Sequence, residues 1–324
     1  MFKTRRSKGS QGPKTAFVFP GQGSQEVGMG NDLYKNSAEA RAVFQEADEA
    51  LGFSLSRLCF EGPHEELRQT INAQPAILTM SVACLREAQA SSPLISSNTP
   101  AFVAGHSLGE YTAMVAANVM SFSDAIRLVR ERGRLMQEAG QLQPGGMAAI
   151  IGLDEASVER ICWETGAQIA NFNSADQIVL SGDKESLVRA MDLGRVMGAK
   201  RIVPLDVSGA FHSRLMRPAA EGMAKAISQM PFDDPSVPIV ANSTASPVFT
   251  AGEVRQELVS QLCSSVRWRH SVEFMAKSGV DTFVEIGPGR VLSGLIKRID
   301  KEARTINISD AASTGVNPAL SGGS

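Results

Sequence analysis

Strands alternate with helices along most of the 324-residue chain, which predicts an α/β fold on a mainly parallel sheet covered on both faces. Two observations carry this expectation. Short apolar runs, TAFVFPG (15–21), TPAFVAG (99–105), VPIVAN (237–242) and DTFVEIG (281–287), are separated by segments of helical period. Residues 146–206 instead read strand, helix, strand, strand, helix, strand, the split βαβ plan of a ferredoxin-like α+β unit. A small subdomain is thus expected inside a larger one.

The elements follow in order. After TAFVFPG comes a Gly-rich loop, then helices through AEARAVFQEADEALG (38–52) and AQPAILTMSVACLREAQA (73–90). TPAFVAG is the next strand, and a helix is expected from Leu108 to Met120, then another over 123–139. The small unit has strands at 147–152, 168–173, 177–182 and 200–207, with helices at 154–166 and 184–198. The large domain resumes through AFHSRLM, a helix, VPIVAN, a further helix, DTFVEIG and the helical GPGRVLSGLIKRI. This assigns 15–139 and 207–309 to a discontinuous large subdomain and 140–206 to the small one. Residues 1–14 and 310–324 read as flexible, being polar and rich in Gly and Ser.

A net charge of −2 gives no general reason to expect nucleic acid or a membrane as partner. No apolar run approaches the ~20 residues of a membrane span, and the basic N-terminus lacks the apolar stretch of a secretory signal, so a cytoplasmic location is expected. Cys59, Cys84, Cys162 and Cys263 lie far apart without zinc-site spacing. Buried reduced thiols are expected, and no metal.

The chemistry concentrates at AFVAGHSLGEYTAM (101–114). Here G-x-S-x-G sits between a strand and a helix, the context of a nucleophile elbow, in which Ser107 stands at a helix N-terminus and the Leu108 N–H can meet an oxyanion. The alternative is that Ser107 only caps the helix. A serine nucleophile needs a base, and four histidines are available. His106 adjoins Ser107 and should diverge from it, His64 lies at a helix start and His270 among charges. His212 follows a strand end through Ser208, Gly209 and Ala210, which makes it the best placed.

The helix at 123–139 carries Arg127, Arg130, Arg132 and Arg134. At ~100° per residue, Ala125, Leu128, Val129, Leu135, Met136 and Ala139 share one face. Arg132 projects from the middle of that face; the other three arginines fall on the polar side. A guanidinium on the core side must find an anion or several acceptors. Either a buried Asp or Glu pairs with it, or a substrate carboxylate does.

Taken together, FPGQGSQ (19–25), GHSLGEY (105–111), RGRLMQEA (132–139), AFHS (210–213), QLCSSVRW (261–268) and EIGPGRVLSGL (285–295) resemble the malonyl-CoA:acyl carrier protein transacylases and the acyltransferase domains of fatty-acid and polyketide synthases. The resemblance runs from about residue 15 to 308. It implies an α/β-hydrolase-like parallel-sheet core with the inserted ferredoxin-like subdomain. It also implies Ser107 as acyl-accepting nucleophile, His212 as base, the N–H groups of Gln22 and Leu108 as oxyanion hole, and Arg132 as clamp for the malonyl carboxylate. Gln261 would orient the histidine through its main-chain carbonyl, with Asn173 and Phe211 near the pocket.

The implied reaction is ping-pong transfer of malonyl from malonyl-CoA to the phosphopantetheine thiol of acyl carrier protein, supplying fatty-acid synthesis or, alternatively, polyketide synthesis. No cofactor is implied, since CoA is a substrate carrier, and a monomer is expected. Lys200, Arg201, Lys297 and Arg298 are candidates for docking the acidic carrier. A serine thioesterase shares the elbow, but the chain lacks an HGGG-type loop and continues for over a hundred residues past His212. A nucleotide-binding loop at GQGSQEVG fails because Glu26 replaces its third glycine. A non-catalytic scaffold is disfavoured by the joint presence of Ser107, His212 and Arg132.

Overall fold

A computed structural model describes residues 14–315. Its strands are β1 (Lys14–Phe19), β2 (Phe102–Gly105), β3 (Gly145–Ile151), β4 (Gln168–Ser174), β5 (Gln177–Asp183), β6 (Arg201–Leu205), β7 (Ile239–Val240), β8 (Pro247–Val248), β9 (Val280–Ile286) and β10 (Arg304–Ile308). They form two sheets, one ordered β10-β9-β1-β2-β7-β8 and the other β4-β5-β3-β6. In the first every neighbouring pair is parallel except β7 with β8.

Alternation along the strands covers this sheet on both faces. Phe17, Phe19 and Val103 enter the larger core with the helices Ala38–Leu51, Thr70–Ser91 and Phe122–Leu142. Ala16, Val18 and Ala104 enter the opposite core with Trp268–Lys277 and Val291–Ile299. The carboxyl ends of β1, β2 and β7 lead to Gln22, Ser107 and Asn242.

The second sheet is antiparallel throughout, with the strand order of a ferredoxin-like unit. Ala148, Ile150 and Leu180 pack under the helices Glu155–Thr165 and Lys184–Val196, whereas Met147, Ala149 and Val179 face the large core. One layer of helices therefore covers one face of the small sheet, and the other face closes over the carboxyl ends of the large sheet.

Several expected bounds shift for local reasons. The helix after the elbow spans only Gly109–Ala116, because Asn118 takes a left-handed φ of 57° that ends it before Met120. The arginine-bearing helix continues to Leu142, past the expected boundary at 139. VPIVAN contributes just Ile239–Val240 before the chain turns into the β8 hairpin. Strand β10 carried no distinct expectation of its own; its residues are mostly half-exposed at the sheet edge. The expected tail from 310 begins instead as a helical turn, Ala311–Thr314, capped by Asp310 and tied to Ser91 by the Thr314 carbonyl at 2.8 Å. Residues 1–13 and 316–324 of the expected flexible ends lie outside the described residues, and Lys14 already belongs to β1.

All four cysteines are free, with Cys59 and Cys84 buried but Cys162 and Cys263 only half-buried, short of the full burial expected. Burial pushes the Cys59 and Cys162 thiols up to about 12. Among the described residues no helix is long and apolar enough to cross a membrane, and no cluster of three metal-ligating side chains occurs.

Candidate active site

Ser107 sits between β2 and the helix Gly109–Ala116 with φ at 52°, a left-handed conformation that is strained for a serine. The turn closes because Gly105 and Gly109 lack Cβ atoms. A methyl on Gly109 would lie 2.1 Å from the Phe19 carbonyl oxygen, and one on Gly105 would lie 1.9 Å from the Gly109 carbonyl carbon. The Ser107 hydroxyl does not cap the helix. It lies 2.7 Å from His212 Nε2.

His212, buried and itself at φ 56°, donates from Nδ1 to the main-chain oxygen of Gln261 at 2.9 Å. That bond assigns the proton to Nδ1 and leaves Nε2 as the acceptor facing the serine. Burial first, and the nearby Arg132 charge second, lower the imidazole from 6.5 to about 3. The ring is therefore neutral and able to take a proton. The other histidines stand apart from this role: His106 Nε2 meets Asn173 Oδ1 at 2.9 Å beside the Trp268 ring, His64 is exposed, and His270 lies near Glu155.

Arg132 is buried on the core side of its helix, as its place on the apolar face demands. It has no carboxylate within ion-pair distance among the described residues. Its guanidinium donates to Gln74 Oε1 and Gln261 Oε1, both at 2.8 Å, and to Ser107 Oγ at 3.2 Å, and lies over the Tyr111 ring. Its Nε finds no partner. Of the three arginines expected on the polar side, Arg130 departs: it is half-buried and bonds the Ile71 carbonyl at 2.8 Å and Asn72, fastening the start of the Thr70–Ser91 helix.

A cleft of about 350 Å³ opens over the serine, between the small sheet and the loop after β1. Gln22, His106, Ser107, Asn173, Phe211 and His212 line it; Leu108 lies buried beneath, and Arg132 reaches the hydroxyl from below without lining the cleft. Among the described residues the backbone N–H groups of Gln22 and Leu108 have no protein acceptor. Lys200, Arg201, Lys297 and Arg298 are all exposed.

Four supporting residues escaped the sequence reading. Asn242 accepts from the Ser107 N–H at 2.7 Å and donates to the Gly105 carbonyl at 2.7 Å, bracing the elbow from β7. Glu110 bonds Asn242 and Gln261 from beneath. Gln74 meets Arg132 from a helix buried on nearly every side. Glu285, within EIGPGRVLSGL, accepts from Leu292 N at 2.9 Å and Ser293 N at 2.8 Å, and so anchors the helix whose Leu292 and Leu295 form one cleft wall. Of these, only Glu110 and Glu285 stood inside motifs already singled out.

The arrangement brings a serine hydroxyl, a neutral imidazole, two N–H groups without a protein acceptor among the described residues and a buried guanidinium together at one place. It suits acyl transfer through an ester on serine. A family model described as the acyl transferase domain matches residues 16–319. The malonyl CoA-acyl carrier protein transacylase of Bacillus subtilis is 46% identical over 302 residues, covering 92% of this chain and 94% of the relative. That of Escherichia coli K12 is 47% identical over 288 residues, covering 88% and 92%. The acyl-carrier-protein-S-malonyltransferase of Bartonella henselae superposes with a TM-score of 0.90 at 43% identity, covering 93% of this chain and 97% of that one. A type II polyketide acyl-carrier protein in complex with its malonyl-transacylase includes a chain with a TM-score of 0.89 and 43% identity, covering 94% and 99%. On the family model and these identities, the chain belongs to the acyl transferase family.

Proposed function

We propose that this protein is a malonyl-CoA:acyl carrier protein transacylase working through a malonyl ester on Ser107. The observation that carries the reading is the buried Arg132 guanidinium held 3.2 Å from a serine hydroxyl that a neutral histidine is ready to deprotonate. With neutral acceptors alone at its Nη atoms and Nε unpartnered, Arg132 is suited to receive a carboxylate brought by the acyl group.

His212 Nε2 accepts the Ser107 proton as Oγ attacks the thioester carbonyl. The N–H groups of Gln22 and Leu108 receive the developing oxyanion, aided by the positive end of the Gly109–Ala116 helix. Collapse of the tetrahedral intermediate breaks the carbon–sulfur bond, and His212 returns its proton to the leaving thiolate. The carrier thiol then enters and the same groups run the second half. An Arg132 left unpaired disfavours an acetyl group, which has no carboxylate. Phe211 and Asn173 shape the wall beside the acyl group. No metal or redox step enters the scheme.

The test is intact-protein mass after brief incubation with malonyl-CoA or acetyl-CoA, for the wild type, Ser107→Ala and Arg132→Ala, followed by carrier protein. A malonyl adduct that requires Ser107, prefers malonyl through Arg132 and moves to the carrier supports the reading. Release of free malonate with a competent carrier left unmodified would establish a thioesterase instead. Fatty-acid and polyketide carriers are both supplied, because the two pathways differ in the carrier they load; better loading of the fatty-acid carrier is expected.

A further inference from the structure

We infer that Glu110 is a positioning residue for acyl-group selection, holding the Arg132 guanidinium in place through the side-chain amide of Gln261. This rests on the malonyl-transfer reading above. Glu110 lies one helical step past the elbow, fully buried, and touches neither the cleft nor the serine hydroxyl. Its carboxyl nonetheless lies between the two residues that brace the site.

One oxygen, Oε1, accepts from Asn242 N at 2.8 Å and Asn242 Nδ2 at 3.1 Å. The other, Oε2, accepts from Gln261 Nε2. The same amide nitrogen also donates to the Ser107 carbonyl at 3.1 Å, so both of its hydrogens are committed. With the NH₂ end so fixed, the Gln261 oxygen must face the other way, where it accepts from Arg132 at 2.8 Å. The polarity of the amide is thus set by an acceptor at Glu110 and read by a donor at Arg132.

Every protein group bonded to the Glu110 carboxyl is a donor, the environment of a carboxylate. Burial above all, and then the neighbouring Glu257, push its pKa well above the usual carboxylate range, against the pull of these donors and of Arg132, so the relay rests on the acceptor geometry at its two oxygens and not on its charge. A direct ion pair would occupy the guanidinium; the intervening amide holds it and leaves Nε open. The main-chain oxygen of Gln261, which serves His212, is a separate atom from this relay.

Glu110→Gln separates these roles at nearly constant volume. The new amide keeps its oxygen on Asn242 and turns an NH₂ toward the NH₂ of Gln261, a donor facing a donor. Flipping Gln261 relieves that contact only by presenting an NH₂ to Arg132. Either way the guanidinium loses its anchor. The wild type, Glu110→Gln and Gln261→Met are compared for malonyl and acetyl transfer to serine, for Ser107 labelling by a fluorophosphonate that needs no arginine, and for melting temperature.

The expected result is a malonyl-to-acetyl ratio lowered about 10- to 100-fold in both variants, as for a lost hydrogen bond to a charged group, with fluorophosphonate labelling falling much less. A parallel fall in malonyl transfer, acetyl transfer and labelling would make Glu110 a general brace of the elbow and overturn the inference. So would an unchanged ratio in either variant, whatever happens to the melting temperature. Should Glu110→Gln fail to fold, Gln261→Met decides alone. A wild type that transfers no malonyl would refute the function; a wild type with the preference and variants that keep it would refute only the inference.

Discussion

Burial keeps the His212 imidazole neutral, as the base proposed for Ser107 must be, and gives it a pH dependence unlike that of a free imidazole. With the ring lowered from 6.5 to about 3, no protonation step falls near 6.5. Single-turnover acylation of Ser107, followed by quench and mass measurement, is expected to stay nearly level from pH 8 to about 5. A half-maximal rate near 6.5 would show instead an imidazole exposed to water in solution. Stability carries the same sign. The folded state binds its proton less readily than the unfolded one, so the stabilisation present above about 6.5 is lost as pH falls toward about 3. His106, also lowered by burial, adds in the same direction.

At the scale of elements, the elbow is a strand and a helix that approach too closely for any residue but glycine at two positions. Gly109→Ala would drive a methyl into the Phe19 carbonyl, so β1 or the helix must move, and Ser107 with it. The expected result is a melting temperature lower by a few degrees and a much larger relative loss of Ser107 labelling by fluorophosphonate. Gly294→Ala is the control: its new methyl meets nothing within 4 Å, and a helical alanine there should leave stability equal or slightly higher. Equal loss in both variants would mean that the close approach does not set the serine's position.

This spacing is why the elbow could be read from sequence: strand, glycine, serine, glycine and helix are contiguous. Arg132 was legible for a similar reason, since helical period alone puts it on the apolar face. Asn242, Gln74 and Glu110 were not. Glu110 and Asn242 lie 132 residues apart, and Gln74 and Arg132 lie 58 apart, so only the sheet order and the packing of helices create their contacts. Gln74 has the further disguise of a helix buried on nearly all sides, where no period separates a functional face. The lost turn after Ala116 is a smaller case, in which one left-handed asparagine outweighs an otherwise helical pattern.

Across the whole molecule, the small sheet both roofs the cleft and leads away from it. β6 begins at Arg201, just after Lys200, and ends at Leu205, which with the following Asp206 lies on the cleft wall. Ile151 of β3 is in register with Arg201 on one side and Gln177 on the other, and Gln177 Oε1 accepts from Arg298 at 3.4 Å. Lys200, Arg201 and Arg298 therefore gather at one end of the sheet although their sequence positions differ by nearly a hundred. Because the chain as a whole is slightly acidic, such a local cluster can direct an acidic carrier to this end. Lys200→Glu with Arg201→Glu is expected to raise the KM for carrier protein several-fold, most strongly at low salt, while formation of malonyl-Ser107 from malonyl-CoA stays nearly intact. Both residues are exposed and neither lines the cleft, so the two half-reactions separate their effects. Equal loss in both would mean that the pair acts on the cleft itself, and an unchanged carrier KM would place docking on another face.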